Sequence, residues 1–467
     1  MSRSPTHLAL LFGMTFTVAA AQQAPPAQQA PPAQQAPPAQ QAPPSAAPIP
    51  SPKAIAAAEA AVDALAARDF AKVFAQFAPP MRTALSPEKL SATWDSIQAQ
   101  AGGFVKRTMS RAEVRGLYTL VIVTCDFERN KVEIIATMDS ADALAGLQAR
   151  PVQPAAVYAP PDYATPAAFI EREVTVGSGE WALPGTLTKP AGAGPFPAIV
   201  LVHGSGPNDR DETFGPNKTF KDLALGLGSR GVAVLRYDKR TKVYAAKVSQ
   251  LNPFTLKSEA IDDALAAVSL LRKEPGIDAT RIFVLGHSLG GTAAPRIGAA
   301  DAGIAGLIIF AGAVRSLEQS IVDQLQYLAD ADGVISDAEK RALEGSLKLK
   351  ETVSKLTTAD VTSTASIGGA PASYWLDLQG YDPAALAATL KQRLLIMQGG
   401  RDYQVTVSDF ERWKTALAKH PAAEFKLYPA LNHLFLPGQG KSLPPEYAVP
   451  GHVPIEVIDD IAAWTKK

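Results

Sequence analysis

The stretch VLGHSLGG, residues 284–291, decides the fold of this chain. It ends an apolar run at 281–285 and leads into an alanine-rich segment. Its centre has the pattern Gly-x-Ser-x-Gly, which is typical of a sharp turn from a buried strand into a helix. The serine at such a turn takes a strained backbone conformation, so its neighbours must be small. Ser288 is therefore either a catalytic nucleophile or a small residue at a corner between a strand and a helix.

The chain around this stretch alternates between apolar runs and helical patterns, beginning at about residue 167. Helical patterns at 220–227 and 258–271 lie between six apolar runs: 196–202, 232–237, 281–285, 306–310, 393–397 and 425–428. Such alternation predicts an α/β fold, in which a mostly parallel sheet has helices on both faces. In such sheets the active site lies beyond the carboxyl ends of the strands.

A serine nucleophile needs a base, and the base needs an acid that orients it. His433 follows the last apolar run, and Asp402 follows the run at 393–397. The order Ser288, Asp402, His433 is that of the α/β-hydrolase triad. For Asp402 alone, a turn or helix-capping role is the alternative. Five other histidines fit the base less well, because they lie in the N-terminal segment, beside the serine, in a glycine loop or in polar surroundings: His7, His287, His203, His420 and His452.

The tetrahedral intermediate of acyl transfer also needs N–H donors for its oxyanion. Leu289, the residue after the nucleophile, supplies one donor. The loop 203–206 follows an early strand and supplies the other. We expect this second donor to be Ser205, with Gly206 as the alternative. The loop could otherwise be a simple glycine turn.

Five segments carry a resemblance to a known family, and the first of them is the most specific: HGSGPNDRDETFGPNK at 203–218, VLRYDKRT at 234–241, GHSLGG at 286–291, QGGRDYQV at 398–405 and LNHLF at 431–435. From about residue 174 onward the chain resembles bacterial α/β-hydrolase-fold serine carboxylesterases of the serine esterase and peptidase branch. The resemblance implies a triad of Ser288, Asp402 and His433, a short-acyl ester as the small-molecule substrate, and no metal or organic cofactor. Ion pairs of Arg210, Asp211 and Asp238 are expected to brace loops.

An insertion at about 313–391 is mainly helical, with patterns at 317–329, 336–347 and 383–390. In an α/β-hydrolase an insertion at this place forms a cap over the site. Its aromatic residues Tyr327, Tyr374 and Trp375 either shape the acyl pocket or form the core of the cap. The segment 328–339 is similar to a calcium loop, but Leu328 cannot serve as its first ligand. A capping box of Ser336 and Glu339 accounts for it more simply.

Residues 53–150 predict a small α+β domain, which resembles a cone-like domain often found ahead of bacterial hydrolase domains. Packing or partner binding is its expected role. Cys125, the single cysteine, lies in an apolar run and is expected to be a buried hydrophobic residue. A proline-rich linker at 151–166 separates this domain from the catalytic domain at 167–467.

The first 21 residues predict a signal peptide, because an apolar stretch precedes the possible cleavage site Ala19-Ala20-Ala21. Four copies of AQQAPP run from Ala21 to Pro44, and residues 22–52 are expected to form a disordered spacer. We therefore expect a secreted or periplasmic protein without an integral membrane span after cleavage. The formal net charge of zero and the absence of a basic run argue against a nucleic-acid partner.

Together these features predict a carboxylesterase-type serine hydrolase. Two alternatives remain, a serine peptidase or acyl-peptide hydrolase acting on short peptides, and an inactive envelope binding module with this fold. The oligomeric state and the physiological ester are open.

Overall fold

The computed structural model describes residues 51–115, 118–152 and 158–467, and it divides the chain into two compact units, one on each side of the proline-rich segment that follows Arg150. The predicted signal peptide, and the predicted spacer up to residue 50, lie outside the described residues. Each unit has a hydrophobic core of its own.

The first unit combines four helices with an antiparallel sheet in the order β1-β2-β3-β4. Its elements are α1 (Pro52–Ala66), α2 (Phe70–Ala75), α3 (Pro79–Ala84), α4 (Pro87–Ala101), β1 (Phe104–Arg115), β2 (Tyr118–Phe127), β3 (Lys131–Met138) and β4 (Leu144–Pro151). The expected α+β class is confirmed. Val114 lies in β1 and Val123 in β2, and Pro79 is the first residue of α3.

The second unit is built from strands and helices that alternate along most of its length. Its elements are β5 (Phe169–Val176), β6 (Leu183–Pro190), β7 (Phe196–Val202), β8 (Thr213–Phe214), β9 (Asn217–Lys218), α5 (Thr219–Gly228), β10 (Ala233–Tyr237), α6 (Arg240–Val243), α7 (Ala245–Val248), α8 (Asp262–Arg272), β11 (Ile277–His287), α9 (Leu289–Ala300), β12 (Gly306–Phe310), α10 (Leu317–Ala329), α11 (Asp337–Ser354), β13 (Ser366–Ile367), β14 (Ala370–Pro371), α12 (Ala372–Leu378), α13 (Pro383–Ala388), β15 (Arg393–Gly399), α14 (Val407–Ala416), β16 (Ala423–Tyr428) and α15 (Ile455–Lys466).

The main sheet of this unit has eight strands within the described residues, in the order β16-β15-β12-β11-β7-β10-β6-β5. The six strands from β16 to β10 pair in parallel, and β6 and β5 add an antiparallel edge. The central strands alternate between two cores: Ala198 and Val200 of β7 face one, and Ile199 and Leu201 face the other. Burial of each Val, Leu or Ile side chain stabilises the folded state by about 1.5–3 kcal/mol. The apolar runs therefore stabilise the same layered fold that they predict.

The carboxyl ends of the parallel strands meet at one edge of the sheet. Register pairs Gly286 of β11 with Val202 of β7, and Phe310 of β12 with Met397 of β15. The insertion between β12 and β15 contains α10 to α13 and a small hairpin, and several of its residues lie at this edge. In the part of the chain that the structure describes, no helix is both long and apolar enough to cross a membrane.

Candidate active site

The turn between β11 and α9 holds Ser288 in a conformation that non-glycine residues seldom adopt, with φ 53° and ψ −117°. The flanking glycines are required by close backbone approach. A Cβ atom at Gly286 would lie 2.1 Å from the carbonyl oxygen of Gly290, and one at Gly290 would lie 2.2 Å from that of Val202. Ser288 is thereby presented at a tightly packed strand-to-helix corner.

The loops after β15 and β16 bring Asp402 and His433 together. Nδ1 of His433 lies 2.7 Å from Oδ2 of Asp402, and both side chains are buried. The other carboxylate oxygen of Asp402 accepts hydrogen bonds from the N–H groups of Gln404 and Val405, at 2.8 and 3.0 Å. Gln398 also donates to Oδ2, at 3.1 Å. The carboxylate is therefore held from several sides and can orient the imidazole ring through its Nδ1 atom.

The loop after β7 lies against the serine turn. A Cβ atom at Gly204 would lie 3.1 Å from the Cβ atom of Ser288. Among the described residues, neither the N–H of Ser205 nor that of Leu289 has a hydrogen-bond partner, and both residues line a cavity together with Ser288. The predicted oxyanion donors and the predicted nucleophile thus face the same space.

The cavity has an apolar wall contributed largely by the inserted segment. Its lining includes Leu317, Leu378, Tyr381, Pro383 and Val405, together with polar groups of Arg315, Ser316, Ser320, Gln324 and Gln404. The aromatic residues considered for the acyl pocket lie elsewhere. Tyr327 stacks on Tyr403 at 5.0 Å, while Tyr374 and Trp375 are buried among other side chains. None of the three lines the cavity, and Tyr327 and Tyr374 pack on residues outside the insertion, Tyr403 and Phe254, rather than within a core of the cap alone.

Comparisons with known proteins agree with this architecture. The chain is 40% identical over 406 residues to a protein named esterase EstD from Thermotoga maritima, with coverage of 86% of this chain and 93% of that protein. Residues 199–446 match the alpha/beta hydrolase family, and residues 58–147 match a family described as a protein of unknown function, DUF3887. This chain belongs to the alpha/beta hydrolase family. The predicted fold and hydrolase class are thereby confirmed.

Solved structures similar to this hydrolase include an esterase of Pyrococcus furiosus and Est1E of Butyrivibrio proteoclasticus. The first is 16% identical, with a TM-score of 0.39 and coverage of 64% of this chain and 91% of that chain. The second is 15% identical, with a TM-score of 0.40 and coverage of 63% of this chain and 98% of that chain.

Next to the predicted triad, the hydrolase contains a buried histidine–carboxylate contact that its sequence did not reveal. Nδ1 of His287 lies 2.9 Å from Oε2 of Glu212, and Nε2 of His287 lies 2.9 Å from the backbone oxygen of His433. Burial opposes the charged forms, but the attraction between the two groups prevails, so the pKa of His287 is raised and the pKa of Glu212 is lowered. His287 therefore contacts the backbone of His433 through one ring nitrogen and Glu212 through the other.

Glu212 also contacts the loop after β7, because its Oε1 accepts the N–H of Gly204 at 2.8 Å. Glu212 itself has a positive φ of 49°. Glu212 stands next to Asp211 in the sequence, and nothing in the spacing of the residues linked it to His287. The contact arises only when β7 and β11 become neighbours in the sheet.

Other expectations concern residues outside the cavity. Arg210 pairs with Asp238 at 3.1 Å and Lys218 with Asp211 at 2.9 Å, so the bracing role of this cluster is confirmed. The capping box of Ser336 and Glu339 opens α11 as predicted. The described residues contain no cluster of three His, Cys, Asp or Glu side chains able to hold a metal ion.

Proposed function

We propose that this hydrolase cleaves carboxylic esters through an acyl-enzyme formed on Ser288. The observation that carries the proposal is the 2.7 Å contact between His433 and Asp402, at the same edge of the sheet as the strained serine. The name of the Thermotoga maritima relative, an esterase, supports an ester rather than another acyl derivative as substrate.

The reaction follows from these positions. The Ser288 hydroxyl attacks the ester carbonyl while Nε2 of His433 takes its proton, and Asp402 holds the ring in the required tautomer. The carbonyl oxygen becomes an oxyanion, which the N–H groups of Leu289 and Ser205 stabilise. Loss of one such donor typically costs about 10²–10³-fold in rate. His433 then protonates the departing alcohol. Water, deprotonated by His433, releases the acid and restores Ser288.

The apolar side of the cavity favours a short acyl group. Leu289 lies beside the nucleophile in the sequence, and Leu378 and Pro383 of the cap line the same cavity. Each buried methylene contributes about 0.8 kcal/mol until the wall is reached. We therefore expect kcat/KM to rise over the first members of a homologous series and then to fall.

A series of p-nitrophenyl esters from acetate to dodecanoate tests both parts of the proposal. Ser288→Ala should abolish hydrolysis, whereas Ser249→Ala, at an exposed serine of the same unit, should behave as wild type. Persistence of activity in purified Ser288→Ala would refute the acyl-enzyme. Faster cleavage of aminoacyl p-nitroanilides than of the esters would favour the peptidase alternative. Fluorophosphonate labelling that is lost in Ser288→Ala would exclude a binding module.

We also propose that the hydrolase is exported and acts as a secreted or periplasmic enzyme. The support is the sequence of the first 21 residues and the AQQAPP spacer that follows. After expression in a bacterium, N-terminal sequencing of the extracytoplasmic fraction should find Gln22 as the first residue. A cytoplasmic protein that retains its N-terminal segment would contradict this proposal.

A further inference from the structure

A buried lysine contacts the loop that supplies the proposed oxyanion donor. Lys239 follows β10 and is 2% exposed. Its Nζ donates a hydrogen bond to the backbone oxygen of Gly204 at 2.7 Å and a second to Oε1 of Glu259 at 2.6 Å. Burial of an ammonium group is costly unless the group is paired and hydrogen-bonded, and here both conditions are met.

The peptide that Lys239 contacts is the one that carries the proposed donor. The carbonyl of Gly204 and the N–H of Ser205 belong to the same peptide unit, which is planar and trans, so the two groups point in opposite directions. A hydrogen bond that holds the carbonyl therefore also sets the direction of the N–H. On the opposite side, Ser205 lines the cavity together with Ser288.

We infer that Lys239 is a positioning residue that directs and polarises the Ser205 N–H toward the oxyanion. The inference rests on the function proposed above. Two effects act together. The hydrogen bond restrains rotation of the peptide plane, and the positive charge at the carbonyl strengthens the N–H as a donor. Hydrogen bonds in a chain strengthen one another by roughly 10–30% each.

A gain in stability does not by itself account for the buried pair of Lys239 and Glu259 beside the oxyanion loop. Replacement of a buried ion pair by apolar groups of similar volume is often neutral or stabilising, because desolvation offsets the attraction between the charges. Lys239 differs from an ordinary buried pair in that one of its hydrogen bonds goes to backbone next to the site. The neighbouring pair of Arg240 and Asp263, joined at 3.0 Å, makes no such contact within the described residues.

The counter-charge of Lys239 is fixed by the cap. Tyr374 of α12 donates its hydroxyl to Oε2 of Glu259 at 2.6 Å, and both side chains are buried. Glu259 lies in a π-helical turn, Lys257–Ile261, immediately before α8. A continuous set of hydrogen bonds thus runs from the cap through Glu259 and Lys239 to the peptide of the oxyanion loop.

The test compares two double variants of the full chain. Lys239→Met with Glu259→Gln removes the ammonium without leaving an unpaired carboxylate. Arg240→Met with Asp263→Asn removes a buried pair of the same kind next to it. The first should lower kcat for p-nitrophenyl acetate roughly 10–100-fold with little change in KM, because an oxyanion donor acts only in the transition state. The second should leave kcat close to that of wild type.

An aryl boronic acid supplies an independent measurement, because its tetrahedral adduct places an oxygen where the oxyanion forms. Its inhibition constant should rise by about the same factor as kcat/KM falls. A Lys239/Glu259 variant that keeps both wild-type kcat and wild-type boronate affinity would overturn the inference. So would a loss of kcat of equal size in the Arg240/Asp263 variant. Activity in Ser288→Ala would instead refute the proposed function, so the two failures are distinguishable.

Asn208 offers a second variant that buries no charge. Its Nδ2 donates to the backbone oxygens of Gly204 and Ser205, at 3.2 and 3.0 Å. If the Lys239 double variant does not fold, Asn208→Ala tests whether the hydrogen-bond partners of the Gly204 carbonyl control the Ser205 N–H. It should lower kcat severalfold at constant KM, by less than loss of the charged donor. An unchanged kcat in Asn208→Ala would then count against control of this peptide by its carbonyl partners.

Discussion

A methyl group added at Gly290 tests how closely the nucleophile turn packs on the loop of the proposed oxyanion donor. Its Cβ atom would lie 2.2 Å from the carbonyl oxygen of Val202 and 2.7 Å from that of His203. Ordinary contact begins at 3.4 Å, so the end of β7 would have to move by 3.4 − 2.2 = 1.2 Å. The contacted atoms belong to the backbone, so no change of side-chain rotamer can relieve the clash. Overpacking a core lowers the free energy of unfolding by about 1–3 kcal/mol. We expect Gly290→Ala to lower it by at least about 3 kcal/mol.

The same displacement should reduce catalysis, because the end of β7 leads directly into Gly204 and Ser205. A misplacement of about 1 Å near reacting groups can cost roughly 10²-fold in rate. Esterase kcat of Gly290→Ala, measured on whatever fraction folds, should fall by that order. The free energy of unfolding can be followed by tryptophan fluorescence in urea, since four of the five tryptophans lie in the hydrolase unit.

Gly345→Ala is the matched control. Gly345 lies in the interior of α11, and a Cβ atom there meets nothing within 4 Å. Replacement of glycine by alanine inside a helix stabilises the helix by about 0.8–1.0 kcal/mol. Gly345→Ala should therefore raise the free energy of unfolding, whereas Gly290→Ala should lower it. Wild-type stability and activity in Gly290→Ala would refute the packing described for this turn.

Three further predictions concern single side chains. Asp402→Asn should keep the fold, because its remaining oxygen can still accept from Gln404 and Val405, while kcat falls by roughly 10⁴-fold in steady-state assays; a loss below tenfold would contradict its orienting role. Burial lowers the pKa of His203 to about 4. Between pH 6.5 and 4, His203 is therefore protonated in the unfolded chain and neutral in the folded chain. His203 should therefore contribute a loss of about 3 kcal/mol of stability between pH 6.5 and 4, from 1.36 kcal/mol per pKa unit. Urea titrations at both pH values should show a smaller loss in His203→Gln, and an equal loss would be the contrary result. Burial raises the pKa of the Cys125 thiol to about 12, so iodoacetamide at pH 8 should modify it only after denaturation, as counted by mass spectrometry; rapid labelling of native protein would show that the thiol is accessible.

The parts of the fold that could be predicted are those in which local pattern and burial coincide. Strands β7 and β12 have the predicted bounds, because a short apolar run between polar turns favours a fully buried strand. The edge strands β5 and β6 were not predicted. β5 is largely exposed and carries charged side chains, so its hydrophobic signal is weak. Pairing with β6, rather than composition, makes it a strand.

The candidate site divides in the same way. Ser288, Asp402 and His433 could be found from the sequence because each follows a recognisable strand and each residue type is required by the chemistry. Their roles remain predictions until they are tested by substitution. Glu212 and Lys239 could not be found, because a charged side chain in a loop or at a helix start is usually solvated. Only the assembled sheet buries them.

Glu212 and Lys239 both form hydrogen bonds with one short segment of backbone, and the need to orient that segment accounts for the charged groups there. Gly204 has its N–H held by Glu212 and its carbonyl held by Lys239. A glycine has no side chain through which packing could fix its peptide planes, so hydrogen bonds must set their orientation. Charged partners form stronger hydrogen bonds than neutral ones. The close approach to Ser288, which leaves little room for a Cβ atom at Gly204, therefore goes together with buried charged partners on either side of this peptide.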